Sequence, residues 1–407
     1  MALDVFKGTL TAKTGSTGTV AYTGVGFQPK AIIFWLNSRT AAGFGTQNWF
    51  GLGAATSTSA RWAVTHGDTT ATASATTWRR YSAALCVYLN EGDSTVSCSA
   101  DLSSLDADGF TLNWTAISSA FIVHYLALGG TDLTNATAGT TTYGAGTGSK
   151  SVTGIGYQPD FLLQATNNNA SASGNTFSMT YGAAGLTGQG AITNRSRNGS
   201  ANMEVGQWQR TDRLMVGLSA TASSTTTDCT FTSFDSDGWT VNWTNDPNGL
   251  VTYYLALKGP QTAVLSDTQK TSTGTKATTG AGFTPSAAIF FGANAATNTS
   301  GDYTQMRASL GAATATAEGG VWHQSADAAA TSDTDSHTSS TKCLTHATQA
   351  STIDAEADLS SFDSDGFTLD WTTADATARE FVAILFGDAA AAPSSTVRML
   401  ASAGVGT

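Results

Sequence analysis

Asp363-Ser-Asp-Gly-Phe-Thr-Leu-Asp-Trp371 is a tight turn followed by a strictly alternating strand, and the chain contains it three times. Its counterparts are Asp106-Ala-Asp-Gly-Phe-Thr-Leu-Asn-Trp114 and Asp235-Ser-Asp-Gly-Trp-Thr-Val-Asn-Trp243. Asp-Gly is a hairpin-turn pair, with the carboxylate accepting local backbone N–H bonds. Side chains alternate across a strand, so Phe110, Leu112 and Trp114 share one face that must turn to a core. Working outward, the same landmarks precede each stretch. A Gly-X-Gly-aromatic-X-Pro segment lies at Gly24–Pro29, Gly154–Pro159 and Gly280–Pro285, and a Gly-Ala-Ala step begins at Gly53, Gly182 and Gly311. Equivalent landmarks stand 126 to 130 residues apart, so a unit of about 128 residues is written out three times.

The expected domains are residues 1–129, 130–259 and 260–388, followed by an extension at 389–407 without a repeat partner. Composition sets their class. The chain has 43 Gly, 6 Pro and only 12% charged residues, and it is rich in Thr, Ser and Ala with no capped stretch of helical period. Apolar runs at Ala31–Leu36, Phe161–Leu163 and Ala287–Phe291, with closing runs at Phe121–Leu128, Leu250–Leu257 and Phe381–Phe386, read as inner strands. The expected fold is all-β: three tandem antiparallel β-sandwiches, jelly-roll-like, packed with pseudo-threefold symmetry because the joints between them are short. Each unit is expected to open on one Thr/Ser/Gly-rich strand, at Phe6–Val20, Thr140–Val152 and Leu265–Thr278.

Charge and motifs narrow the function classes. A net charge of −11 repels a phosphate backbone, and Arg79-Arg80 is the one local basic run, which argues against nucleic-acid partners. No apolar stretch reaches the roughly 18 residues of a membrane-spanning helix, and the first residues lack the pattern of a signal peptide. A soluble product of cytoplasmic synthesis is expected. The glycines of Gly-X-Gly serve a bend, since no helix start follows to aim N–H groups at an anion. Asp106, Asp108 and Gly109, with Asp235, Asp237, Gly238 and Asp363, Asp365, Gly366, have two readings, a hairpin turn or the start of a calcium loop. The alternating strand that follows favours the turn. Cys86 and Cys343 are read as equivalent to Met215, hence as a soft core position, and none of the four cysteines has zinc spacing. No metal and no cofactor are expected.

The units diverge most between the Gly-Ala-Ala step and the turn. Trp62, Trp78, Arg79 and Arg80 stand there in the first, Trp208 and Arg210 in the second, Trp322 and His323 in the third. Trp with Arg is the composition of contact hot spots and of sugar-stacking surfaces, so these residues are candidates for ligand binding. The competing reading has them cover sheet edges or dock neighbouring units. No Gly-X-Ser-X-Gly elbow and no histidine pair with metal spacing accompanies them, so no catalytic residue is assigned.

Gly24-Val-Gly-Phe-Gln-Pro29 before an apolar strand, and Ser361-Phe-Asp-Ser-Asp-Gly-Phe-Thr368 with its partner Ser233–Thr240, resemble a β-sandwich module that recurs in tail-associated and other structural proteins of tailed bacteriophages. The resemblance spans roughly residues 1 to 388. Trp35, Asn37 and Arg39 match the Trp, Asn and Arg that often follow the Pro in such modules, a pattern the second and third units do not keep. The resemblance implies a virion component whose partners are other virion proteins and host surface glycans. A tail fibre, tip or baseplate protein is the leading expectation, a capsid decoration protein the second, and a polysaccharide-degrading tail enzyme the third.

Overall fold

The computed structural model describes residues 2–92, 95–167, 173–219, 224–245, 249–295, 303–348 and 351–390. Every regular element among the described residues is a strand, and all ladders between named strands are antiparallel. The strands form three pairs of sheets, each an inner sheet of six of the module's own strands under an outer sheet of four. In the first module the inner order is Leu3–Thr11, Ile122–Gly130, Ala31–Asn37, Asn48–Ala55, Arg61–Asp68, Thr77–Ser82. The outer order is Gly18–Thr23, Gly109–Ile117, Val96–Asp106, Val87–Asn90. The other two modules repeat this connectivity.

The opening segments are not single strands. Gly15 and Gly18 (φ +85° and +127°) break the first, so Leu3–Thr11 stays in the inner sheet and Gly18–Thr23 crosses to the outer one. Gly146 and Gly148 do the same in the second module, and Gly274 in the third. An alternating Thr-rich run spans both pieces without a Pro to mark the change of sheet, which is why it reads as one strand.

The inner strands are buried on both faces, and the two faces meet different cores. Ile32, Phe34 and Leu36 pack with Phe110, Leu112 and Trp114 inside the first sandwich. Ile33 and Trp35 point the other way, into one core shared with Leu163 and Tyr181 of the second module and Ile289 and Phe291 of the third. A half-buried strand would alternate apolar with polar; these runs are continuous because neither side meets water.

The repeated motifs are partners of one another. Asp108 accepts hydrogen bonds from the Gly24 and Gly26 amides at 3.0 and 2.6 Å. Asp237 takes Gly154 and Gly156 (2.8 and 2.6 Å), and Asp365 takes Gly280 and Gly282 (3.2 and 2.6 Å). Both glycines of each pair have positive φ, at +85° and +86° in the first module, a region a side chain would strain. These amides hold the Asp108 carboxyl below the usual carboxylate range. Asp106 accepts from Ser104 and Thr111 at 2.7 Å each, and Asp235 and Asp363 repeat that pair of bonds. The turn reading accounts for all six carboxylates. The Gly-Ala-Ala step is explained by close approach, because a Cβ on Gly53, Gly182 or Gly311 would collide with the carbonyl oxygen of Cys86, Leu214 or Cys343 in the outer sheet. That contact corrects the cysteine equivalence: Leu214, not Met215, matches Cys86 and Cys343. All four cysteines are buried free thiols.

Candidate functional site at the junction of the modules

The modules are interlocked by strands given to a neighbour. Gly43–Thr46 of the first module adds to the edge of the third module's inner sheet, pairing with Asp335–Thr338. Ser173–Gly174 of the second adds to the first, opposite Arg79 and Arg80. The third module reaches the second through Tyr303, which packs on the Trp208 cluster with the Arg195 guanidinium 4.9 Å from its ring. Side chains fasten the same edges. Asn37 Nδ2 donates to the His337 carbonyl at 2.8 Å, and Asn167 Nδ2 to the Arg80 carbonyl at 3.3 Å. At the third edge Ala293 N–H donates to Gln209 Oε1 at 2.8 Å. First strands pack likewise: Asn135–Tyr143 on Arg61–Asp68, Gln261–Thr268 on Gln189–Ser196, and Leu3–Thr11 on Gln305–Thr314. Each module therefore touches both others, and the contacts run in one sense around a closed ring. The first and last described strands are tied at the last joint, where Leu3 N–H donates to Asp388 and Ala389 N–H to Asp132.

Six of the eight candidate binding residues lie in these joints, and Trp78 and Arg210 are held within their own modules. Trp62 is fully buried in the shared core and donates to the Tyr254 carbonyl of the second module at 2.7 Å. Trp78 is buried inside the first sandwich against Trp49. Arg79, 7% exposed, donates to the Thr176 carbonyl of the second module, and Arg80 pairs its backbone with Ser173. Trp208 carries Arg210 over its ring at 5.3 Å, and Arg210 is bound to Asp212. Trp322 is buried edge-on to Phe44 of the first module, and His323 stacks on Phe50 at 4.8 Å. They form no exposed aromatic platform. For the six in the joints, the composition reflects contact between modules, the alternative left open by the sequence. Trp35 and Asn37, singled out by the family resemblance, serve the same joints.

The divergent loops also converge. Ala75 N–H donates to the Ser200 carbonyl, Ala71 N–H to Ser332, and Met203 N–H to Ala329. Three loops that differ in sequence thus close one pole of the ring by backbone bonds to one another. Beneath them lie two polar layers that the sequence reading missed. His66, Asn194 and His323 occupy equivalent positions on their strands, as do Asp68, Ser196 and Ser325 two residues on, and all six are buried. The repeat offset of 128 to 129 residues aligns each trio and was the available signal. Asp68 accepts from Ser325 at 2.5 Å and from Asn48 at 3.4 Å, and burial pushes its carboxyl up to about 7. Burial, with His323 alongside, holds the His66 imidazole well below its ordinary value; burial lowers His323 to about 3. Among the described residues no group of three or more His, Cys, Asp or Glu is arranged to hold a metal ion.

No family model and no curated protein matches the chain. Among solved structures, the crystal structure of the STIV MCP is similar with a TM-score of 0.21 and 9% identity, over 63% of this chain and 95% of that one. The atomic structure of Sulfolobus turreted icosahedral virus gives a TM-score of 0.21 and 9% identity over 62% and 90%. The fructofuranosidase of Schwanniomyces occidentalis complexed with fructose gives 0.12 and 7% over 93% and 98%. Scores of this size carry no functional argument.

Proposed function

We propose that the chain is a non-enzymatic structural component of a bacteriophage virion, placed in the tail as a fibre, tip or baseplate element that contacts neighbouring virion proteins. One observation carries the reading: the repeated motifs are spent on building each sandwich, and the donated strands with most of the divergent Trp, Arg and His residues on holding three sandwiches in one interlocked body. Such a body is a building block. The loops that would carry specificity on an open scaffold are bound to each other at the pole. Trp62, Trp78, Trp208 and Trp322 are buried, which leaves no exposed indole among the candidates for a glycan to stack on.

The closed ring favours a second reading, a decoration protein seated on the head. Electron microscopy of particles labelled on this chain separates the two, with label on the tail expected and label on the capsid shell supporting the alternative. Purified particles that lack the chain would refute both. Turnover of a capsular polysaccharide by the isolated protein would overturn the non-enzymatic assignment.

A further inference from the structure

Trp62, Gly190 and Gly319 hold one place in the three modules, each opposite the first alanine of its Gly-Ala-Ala step. Tryptophan against glycine is the widest change of side-chain volume a repeat can carry. Each of the three faces the closing strand of a neighbouring module, again at one equivalent place. Trp62 lies against Tyr253 of the second module, with ring centroids 6.0 Å apart. A Cβ on Gly190 would stand 2.8 Å from Cγ1 of Val382 in the third, and one on Gly319 3.1 Å from Cε1 of His124 in the first. The first strands vary in step, with Ala138, Val264 and Lys7 at one register. Where Trp62 fills the joint, the first-strand residue is the small Ala138. Where Gly319 leaves room, Lys7 takes it: its Nζ lies 2.5 Å from where a Cβ on Gly319 would be, and the residue is 3% exposed. Lys7 Nζ donates to Thr9 Oγ1 at 3.0 Å and to His124 Nδ1 at 3.1 Å, so His124 Nε2 donates to Thr338 Oγ1 of the third module at 2.8 Å. The first module has Tyr81 at the place of Thr338, and Tyr81 packs on Tyr253 at 5.1 Å.

We infer that the residue at the Trp62, Gly190 and Gly319 place, matched in size and polarity to the two residues facing it, determines which module each module accepts as its neighbour and so fixes the sense in which the ring closes. A ring closed in the other sense would set the third module on the first, driving Val264 and Val382 into the space of the Trp62 indole, and overpacking of this kind is destabilising. It would set the second module on the third, leaving a void between Ala138 and Gly319. It would also bury the Lys7 amine and His124 on the second module, which has Gln209 and not Thr338 at that place. Discrimination of this kind rests on the cost of wrong pairs as much as on the gain of right ones. The same mismatches bar a third or first module of a second chain from the face that carries Trp62.

The test transplants the set of one joint into another in the full chain and reads the urea midpoint. Gly190→Trp alone should lower it, because the indole meets Val382. Gly190→Trp with Val264→Ala and Val382→Tyr copies the set around Trp62 into the joint between the second and third modules, and should regain more than half of the loss. The reciprocal transplant, Trp62→Gly with Ala138→Val and Tyr253→Val, should likewise be more stable than Trp62→Gly alone. Recovery reads the matching itself, since side chains that only fill a core would lose stability with each further change. If Gly190→Trp does not fold, a folded monomer of its triple variant is the recovery. An unchanged midpoint in Gly190→Trp, or triple variants no more stable than their single parents in both joints, would overturn the inference.

Discussion

Asp68→Asn should stabilise the protein above neutral pH and change little in acid. The carboxyl is buried among all three modules, with one oxygen held by Ser325 and Asn48 and Ser196 standing beside it. Its folded-state value near 7 lies above the ordinary 3.8. A raised carboxyl favours folding while it keeps its proton. That contribution is complete below about pH 3.8, is lost as pH rises, and is gone above about 7. The gap between the two values corresponds to about 4 kcal/mol. Asn is the neutral isostere of the protonated acid: its carbonyl can take the Ser325 and Asn48 bonds, and its N–H2 replaces the oxygen that has no partner. The assay is urea unfolding of both proteins from pH 4 to 8.5. The stability of the variant minus that of the wild type cancels the titration of the buried histidines. This difference should grow by about 4 kcal/mol between pH 4 and 8. A difference independent of pH would show that the carboxyl is not enclosed in a joint, and the reasoning would fail.

Trp62→Ala removes a buried indole from the shared core and its bond to Tyr254, and should cost about 3–5 kcal/mol in urea unfolding; a loss below about 1 would place Trp62 outside that core. Asp237→Ala strips the Gly154 and Gly156 amides of their acceptor and should cost about 1–3 kcal/mol, with calcium having no effect on the wild-type midpoint. Stability should fall as pH drops below about 6.5, because burial lowers His323 and His346 to about 3 and His337 to about 4 while the unfolded chain protonates at its ordinary value. An acid midpoint unmoved by His337→Gln and His346→Gln together would contradict that account.

The sandwich was legible wherever local pattern and packing agree. Phe110, Leu112 and Trp114 alternate and are buried together, and the Asp turns form the bends their residue types predict. The two-sided inner strands were readable from Ala31–Leu36, although not the identity of the second core. That core depends on contacts between positions more than a hundred residues apart. Nothing in Gly43-Phe-Gly-Thr46 announces a strand, for example: the segment is four residues long and is ordered by the edge of another module. Composition singled out the candidate residues but left binding and docking open, since a Trp beside an Arg has the same sequence signature in an open site as in a closed joint. Asp68 escaped notice because a lone carboxylate on a strand gives no local signal.

Closure of the ring is tested most directly by a disulfide across the donated strand. Phe44 lies directly opposite His337 in the antiparallel pair, and directly opposed residues have Cα atoms about 4.5–5.5 Å apart, within the range a disulfide spans. Phe44→Cys with His337→Cys should oxidise to an intramolecular bond that mass spectrometry finds between the first and third modules, with the four native thiols still reduced. Two freely alkylated thiols in a folded protein, or a bond formed only between separate chains, would show that the modules do not close on one another.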